Sequence, residues 1–330
     1  MNGLQILGTG RALPEHVVTN DDLAKIVDTS DEWIVSRTGI KERRFAREGE
    51  TLTQFAVEAA RQAIARAGIR PEDLGLCLMG TVTSDNATPA QSCLVHQALR
   101  LPEDCPAFDL SAGCSGFLYA METAAALLPR MSRPYALILG GELLSRITNM
   151  EDRSTCILFG DGAGAAVVKA GEDRYYLPVT HSEGSKGDAL TCKSRYQGNG
   201  LTSEINLEEM VDDEHFMQMD GQAVFKFAVK KVPEVIREVL EANEIEQEDV
   251  DYYILHQANQ RIVEAVAKRL KEPIEKFPMN LREYGNTSSA SIPILLDELN
   301  RKGILKSGQK IVMAGFGAGL TWGASILDWK

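Results

Sequence analysis

The sequence predicts a layered α/β protein made from two copies of one unit, and three observations carry that reading. Amphipathic helices alternate with short, uninterrupted apolar strands, as where residues 51–67 are followed by 76–79; such strands are buried on both faces and need a helix layer on each side. The length of 330 residues exceeds what one small core organises and suits two units. Segments of the second half also echo the first: residues 245–250 and the strand to Leu255 repeat 69–79, Gly285-Asn286 before a helix repeats Gly113-Cys114, and 315–319 repeats 160–164. The offsets are about 176, 172 and 155 residues, near half the chain and in the same order, as a diverged duplication gives. The units are placed at 1–175 and 176–330, with an irregular polar excursion at about 182–220 inside the second.

Taken in order, residues 4–7 form a first strand, and Gly8-Thr-Gly10 after it resembles the start of a dinucleotide fingerprint. The third small residue of that motif is missing and Pro14 blocks a following helix, so no nucleotide site is expected there. Thr29-Ser-Asp-Glu-Trp33 starts a helix and Gly39 stops it. Trp33 and Arg37 share one face of this helix, where they either pack on each other or stack a flat, phosphate-bearing ligand. Residues 51–67 place Leu52, Phe55, Ala56, Ala59, Ala63 and Ala67 on one apolar stripe, capped by Gly68. A helix from about Pro89, a strand into Cys114 with a helix to Leu128, and a strand at 135–139 continue the alternation. Gly160-Asp-Gly162-Ala-Gly164-Ala165 formally fits G-x-G-x-x-A, yet Val167 and Val168 continue it as strand, so it marks backbone that approaches something closely. The polar stretch with Gly184, Gly187, Gly198 and Gly200 is the excursion.

Composition narrows the function. The net charge of -12 and the pI near 5.0 argue against a nucleic-acid binder, which needs a basic surface. An acidic partner has to meet a local basic patch. Cys77, Cys93, Cys105, Cys114, Cys156 and Cys192 show no C-x-x-C pair and no regular spacing, so neither a metal site nor a disulfide framework is expected, and a reduced, cytoplasmic setting is. Met1 to Gln5 lack the pattern of a signal peptide and no apolar run reaches membrane length, so secretion and membrane insertion are not expected.

The stretch from Phe108 to Gly116 reads as strand, small-residue turn and helix start, with Cys114 in the turn. A thiol there meets unpaired N–H groups and the positive end of a helix, both of which favour thiolate. The alternative is a small buried hydrophobe. His256 follows the strand at 252–255, at a strand end where α/β sheets meet ligands, and Asn286 precedes a helix as a cap would. Each alone suits a structural role. As a set they supply a nucleophile, a donor of tunable protonation and a neutral donor, which suits thioester chemistry.

The motifs SAGCSGF, ILHQAN, YGNTSSAS and GFGAGLTWG, with DTSDEWIVSRTGI near the start and FGDGAGAAVV in the middle, together resemble β-ketoacyl-(acyl carrier protein) synthase III from one end of the chain to the other. The resemblance implies the thiolase fold, a duplicated five-layer αβαβα sandwich, and a decarboxylative condensation of acyl-coenzyme A with malonyl-(acyl carrier protein) that begins fatty acid synthesis. It implies Cys114 as acyl carrier, His256 and Asn286 as donors to the malonyl thioester, and the backbone N–H groups of Cys114 and Ala318 as the oxyanion hole. Trp33 and Arg153 would bracket the adenine, while Arg37, Gly221 and Asn259 line the pantetheine path. No cofactor is implied beyond the coenzyme A thioester itself. Thr88 and Phe316 are placed at the acyl pocket, Thr88 by reaching across a homodimer, where threonine in place of a large aromatic implies primers longer than acetyl. Lys226, Lys230, Arg261, Lys268 and Arg269 recur at helical spacing and would form the basic face that docks the acidic carrier protein.

Two features depart from the family pattern: the last glycine run is Gly317-Ala318-Gly319, and residues 182–216 fit poorly. Related enzymes remain in view. A degradative thiolase would carry a second cysteine within 315–323, which has none, and an elongating ketosynthase would carry histidine at Asn286. Cys-His-Asn relatives of polyketide or quinolone synthesis, and a non-condensing acyl-binding protein, are the alternatives.

Overall fold

In the computed structural model, which describes residues 3–171, 176–193 and 215–330, two sheets sandwich a pair of helices and are covered by helices outside. The elements that build this are strand β1 (Gly3–Ala12), helices α1 (Asp31–Thr38) and α2 (Leu52–Ala67), strand β2 (Leu74–Gly80), helix α3 (Gln91–Leu99), strand β3 (Ala107–Leu110), helix α4 (Gly116–Leu127) and strands β4 (Tyr135–Leu143) and β5 (Asp161–Gly171). The second half adds β6 (Val179–Ser182), α5 (Gly221–Ala242), β7 (Tyr252–Leu255), α6 (Gln260–Leu270), α7 (Ser291–Arg301), β8 (Lys310–Gly317) and β9 (Thr321–Asp328). The first sheet runs β1-β5-β4-β2-β3 and the second β6-β9-β8-β7. Their pairings match: β2 lies parallel to β4 as β7 does to β8, and the other shared neighbours are antiparallel.

Strand alternation makes the layers. Leu76, Leu78, Ile138, Ala166 and Val168 of the first sheet and Ile254, Ile311, Met313 and Leu327 of the second converge on Phe117, Leu118 and Met121 of α4 and Ile292, Leu295 and Leu296 of α7. The intervening residues Cys77, Met79, Leu137, Leu139, Ala165 and Val167 turn outward to α2. On the far side Tyr253, Leu255, Val312, Ala314 and Ile326 meet α5 and α6. Every central strand is thus apolar on both faces because it has a helix layer on both faces. The result is five layers, αβαβα.

Three details differ from the expectation. The first strand does not stop at Leu7 but runs on through Gly8, Thr9 and Gly10 to Ala12. Its glycines serve helix contact: a Cβ on Gly8 or Gly10 would fall inside the backbone carbonyls of Ala63 or Ala59 of α2. Likewise the backbone at Gly164 closely approaches α7, where a Cβ would stand 2.8 Å from the Ile294 nitrogen. The third internal echo pairs non-equivalent strands, since 160–164 opens β5 whereas 315–319 closes β8, whose counterpart in the first sheet is β4. The excursion is partly regular: it includes a 3-10 segment Gly184–Ala189 and a short antiparallel pair, Leu190–Thr191 with Gln218–Met219. Gly198 and Gly200 lie outside the described residues. No described helix is long and apolar enough to cross a membrane, and no group of metal-ligating side chains occurs among the described residues.

Because α2 lies directly on the backbone of β1, Gly10→Ala should force the two apart. A loss of about 1–3 kcal/mol is expected, the usual cost of overpacking, read as a lower denaturant midpoint at unchanged slope.

Candidate active site

Cys114 sits in a 3-10 turn, Gly113–Ser115, between β3 and α4. Gly113 adopts φ +51, and its missing side chain lets Ala318 come close, since a Cβ would be 2.9 Å from the Ala318 nitrogen. Gly317 is equally constrained, with a Cβ placed 2.5 Å from the Cys114 nitrogen. The Cys114 and Ala318 backbones are therefore held side by side at the cavity wall. The thiol itself does not rest as the thiolate that a helix N-terminus alone would favour. Removal from water pushes it up to about 12, although a hydrogen bond with the Ser288 side chain pulls the other way. It is a thiol at neutral pH, and to act as a nucleophile it would have to lose its proton.

His256 extends the β7–β8 ladder by donating its backbone N–H to Ala314 O at 2.8 Å, which fixes where its ring enters the cavity. The ring is 2% exposed and meets Phe316 edge-on at 5.3 Å between centroids. Burial pushes its pKa down to about 3, so the imidazole is neutral. Its Nδ1 lies 2.7 Å from Ser291 Oγ, which also accepts the Gln257 N–H at 3.4 Å. With the Ser291 hydroxyl donating to Nδ1, Nε2 is the N–H donor.

Asn286 is pinned by backbone on both sides: its N–H donates to Leu158 O at 2.8 Å and its carbonyl accepts from Gly160 N–H at 2.9 Å. Its side-chain Oδ1 accepts from Ser288 N–H at 2.9 Å, so the amide NH₂ is the end left for a ligand. Cys114, His256, Asn286, Phe316 and Ala318 line one cavity of about 1490 Å³.

The same cavity reaches Trp33, Arg37, Gly221 and Asn259. The Arg37 and Arg153 guanidinium carbons stand 4.5 and 4.8 Å from the Trp33 ring centroid. A flat ring inserted between Trp33 and Arg153 needs about 7 Å, two contacts of about 3.5 Å, so Arg153 must swing outward first. Asn259 caps α6, its Oδ1 accepting from Arg261 N–H, and donates to Arg37 O at 3.1 Å, which ties the two residues together. Thr88 is exposed and outside this chain's cavity, whereas Phe316 lines it. Lys226 and Lys230 on α5 and Arg261, Lys268 and Arg269 on α6 are all exposed, and none is in an ion pair with a described residue.

Reading the sequence missed Ser288, Ser291 and Glu142. The signal for the serines was the run Thr287 to Ser291, polar except at Ala290, and all five of its residues are buried. For Glu142 it was a lone acid in the apolar strand β4, buried completely.

The profile described as 3-oxoacyl-[acyl-carrier-protein (ACP)] synthase III matches residues 108–184, and that of its C-terminal part matches 240–329. A β-ketoacyl-[acyl-carrier-protein] synthase III of Clostridium acetobutylicum is 43% identical over 330 residues, covering 100% of this chain and 99% of the relative. The crystal structure of the 3-oxoacyl-[acyl-carrier-protein] synthase III of Aquifex aeolicus superposes with a TM-score of 0.90 at 44% identity, covering 99% of this chain and 100% of that one. The priming β-ketosynthase of the R1128 polyketide pathway superposes with a TM-score of 0.90 at 33% identity, covering 99% and 96%.

The neutral, buried His256 has a measurable consequence. Free histidine protonates near 6.5, so between about 6.5 and 3 the unfolded chain binds a proton that the native one does not, and native stability falls as the pH drops through that window. In His256→Gln this contribution is gone. Urea unfolding at about pH 7 and about pH 5 should show the variant gaining on the parent by up to about 1.4 kcal/mol per pH unit. A difference that does not vary with pH would mean that the ring titrates in the fold as it does in the unfolded chain.

Proposed function

The chain belongs to the 3-oxoacyl-[acyl-carrier-protein] synthase III family, and on that premise we propose how three residues of the cavity divide its reaction. The enzyme is a condensing acyltransferase of the thiolase fold that joins an acyl group from acyl-coenzyme A to malonyl-(acyl carrier protein), the initial condensation of fatty acid synthesis. Cys114 attacks the acyl-coenzyme A carbonyl, and coenzyme A leaves as its thiol. The malonyl thioester then enters, and the His256 Nε2–H and Asn286 amide donate to its carbonyl. As carbon dioxide departs, the electron pair of the broken bond becomes an enolate held by those two donors. Its carbon attacks acyl-Cys114, the oxyanion is met by the N–H groups of Cys114 and Ala318, and collapse expels the cysteine. Decarboxylation supplies the carbanion, so this reading calls for no cofactor.

The observation that carries the division is the preset of the two donors. His256 Nδ1 faces Ser291 and Asn286 Oδ1 is occupied by Ser288 N–H, so both side chains can present hydrogens, not lone pairs, to a ligand. That preset favours negative charge developing on a carbonyl oxygen opposite them. His256→Ala and Asn286→Ala should still be acylated at Cys114, seen by intact mass, and should lose carbon dioxide release from malonyl carrier by a hundredfold or more, about what an oxyanion donor contributes. Release at the parent rate in either variant would overturn the assignment, and parent protein that acylates without releasing carbon dioxide would instead mark a non-condensing acyl binder.

The partner surfaces follow the same reading. Of the five exposed cations of α5 and α6, Lys226 and Arg261 adjoin the cavity-lining residues Phe225 and Ile262, and all five present positive charge on an acidic protein, complementary to an acidic carrier. Strand β3 is a sheet edge carrying Phe108, 37% exposed, and is the strand expected to pair with its copy in a homodimer. Cys77, Cys93, Cys105, Cys114 and Cys156 are free thiols, in keeping with a reduced cytoplasm. Thr88 would serve the partner's acyl pocket, being exposed on its own chain. A threonine in place of a ring leaves room for several methylenes, each worth about 0.8 kcal/mol or roughly fourfold in preference. Thr88→Phe should therefore shift primer preference toward acetyl-coenzyme A in a competition assay; a parent enzyme that already rejects chains beyond four carbons would remove the argument. Relatedness to the polyketide priming synthase favours, as a second reading, the same chemistry feeding a specialised product.

A further inference from the structure

A buried acid behind Cys114 has no part in the scheme above. Glu142, near the end of β4, is 0% exposed. Its Oε2 accepts from Thr83 Oγ1 at 2.6 Å, Val82 N–H at 3.1 Å and Thr81 Oγ1 at 3.2 Å. Its Oε1 lies 3.0 Å from Ser289 Oγ and 3.3 Å from Ser288 Oγ. The Ser288 hydroxyl also reaches the Cys114 sulfur. Ser288 thus stands between thiol and carboxylate, its Oγ 3.3 Å from Oε1.

The two carboxylate oxygens are not equivalent. Thr83 Oγ1 already accepts the Leu143 N–H at 2.9 Å, so its own proton is directed at Oε2. On the other side, the single Ser289 hydroxyl proton reaches either Oε1 at 3.0 Å, when the carboxylate is ionised, or Gly80 O at 2.8 Å, when it is protonated. Its oxygen can then accept from Oε1 when that oxygen bears a proton. The site accommodates Glu142 both ionised and protonated, with Oε1 as the exchanging atom.

We propose that Glu142 takes up the Cys114 proton through the Ser288 hydroxyl during acylation, a role that rests on Cys114 being the acyl acceptor. As Sγ forms its bond to the acyl carbon, the S–H bond breaks, its proton passes to Ser288 Oγ, and the Ser288 proton passes to Glu142 Oε1. The carbonyl electron pair moves to oxygen. Collapse restores the carbonyl and breaks the bond to the coenzyme A sulfur, and this thiolate takes the proton back along the same path. No proton is consumed.

The neighbourhood suits this transfer. Burial raises the Glu142 carboxyl to about 7, partly offset by its donors, whereas His256 at about 3 is a poor acceptor and carries its proton on Nε2. Of the elements packed around Glu142, the Gly113–Ser115 turn brings Cys114. The loop after β2 brings Asp85, paired with Arg146 at 3.3 Å, and β5 brings Asp161, held by Ser145 and the Ala46 N–H. Cys77 of β2 faces the outer core. The 288–290 turn brings no titratable group. A Glu142 that acted only as a fixed charge would oppose the thiolate, since its charge pushes the Cys114 thiol up.

These two roles have opposite signs in one experiment. Cys114 alkylation by iodoacetamide, resolved by peptide mass so that exposed Cys192 is counted apart, is followed against pH in the parent, Glu142→Gln and Ser288→Ala. With the relay, the parent rate rises through a limb near pH 7, both variants lose that limb, and at neutral pH they are slower by roughly a hundredfold. Below the limb parent and variants converge. Glu142→Gln alkylated as fast as the parent or faster overturns the relay, and so does a Ser288→Ala profile that keeps the limb. Parent protein with an inert Cys114 would instead overturn the nucleophile assignment on which the relay rests.

Discussion

The site depends on how tightly the two central helices are driven, N-terminus first, against the strand ends of the first sheet. A Cβ on Gly80 would stand 2.5 Å from the Gly116 carbonyl carbon at the start of α4, and one on Gly140 would overlap the Ser289 carbonyl just before α7. Both helices are sandwiched between sheets whose strands are apolar on both faces, so neither can back away without opening the central core. The two turns that precede them are therefore fixed in the same place, Cys114 in one and Ser288 in the other. Sequence separation between these turns is large, and glycine at the contact is what lets their backbones touch.

Burial then sets the chemistry. Cys114, His256 and Glu142 are all pushed toward their neutral forms by the same cause, removal from water. With the thiol and the imidazole uncharged at rest, the neutral groups of the cavity, the His256 ring, the Asn286 amide and the two backbone N–H groups, face any negative charge that develops there. In a dry cavity such fixed donors favour the charged transition state over the uncharged ground state, which is the difference that accelerates a reaction. Under the division of roles proposed above, two neutral donors would meet the enolate and two the tetrahedral oxyanion, so that each has its own hole.

Much of this was legible in the residues. The turn at Gly113-Cys114-Ser115 shows as small residues between an apolar strand and a helix, and His256 shows as a polar residue at a strand end. What could not be read is of three physical kinds. Glycine spacing reports close backbone approach without naming the partner, so Gly8 and Gly10 resembled a phosphate loop but face α2, and Gly160 to Gly164 was matched to the wrong strand. The balance between a helix terminus and desolvation depends on burial, which local sequence does not fix, and here desolvation wins at Cys114. Contacts such as Ser288 to Glu142 join residues 146 positions apart, and nothing in either segment announces the other.

The duplication explains why the site is asymmetric although its scaffold is not. The end of β2 supplies Thr81, which holds Glu142, while the equivalent end of β7 supplies His256, which lines the cavity. The turn into α4 supplies Cys114, while the turn into α7 follows Asn286 and supplies Ser288, whose side chain lowers the thiol's pKa. Each unit thus contributes a strand end and a helix start to one cavity, and divergence of side chains at those four places separates the roles. A symmetric pair of such units would set two like groups face to face, two thiols or two imidazoles, with no distinction between the residue that carries an acyl group and the residues that polarise its partner. Keeping the backbone repeat fixes the distances, and changing only the side chains at its ends creates an acceptor on one wall and donors on the other.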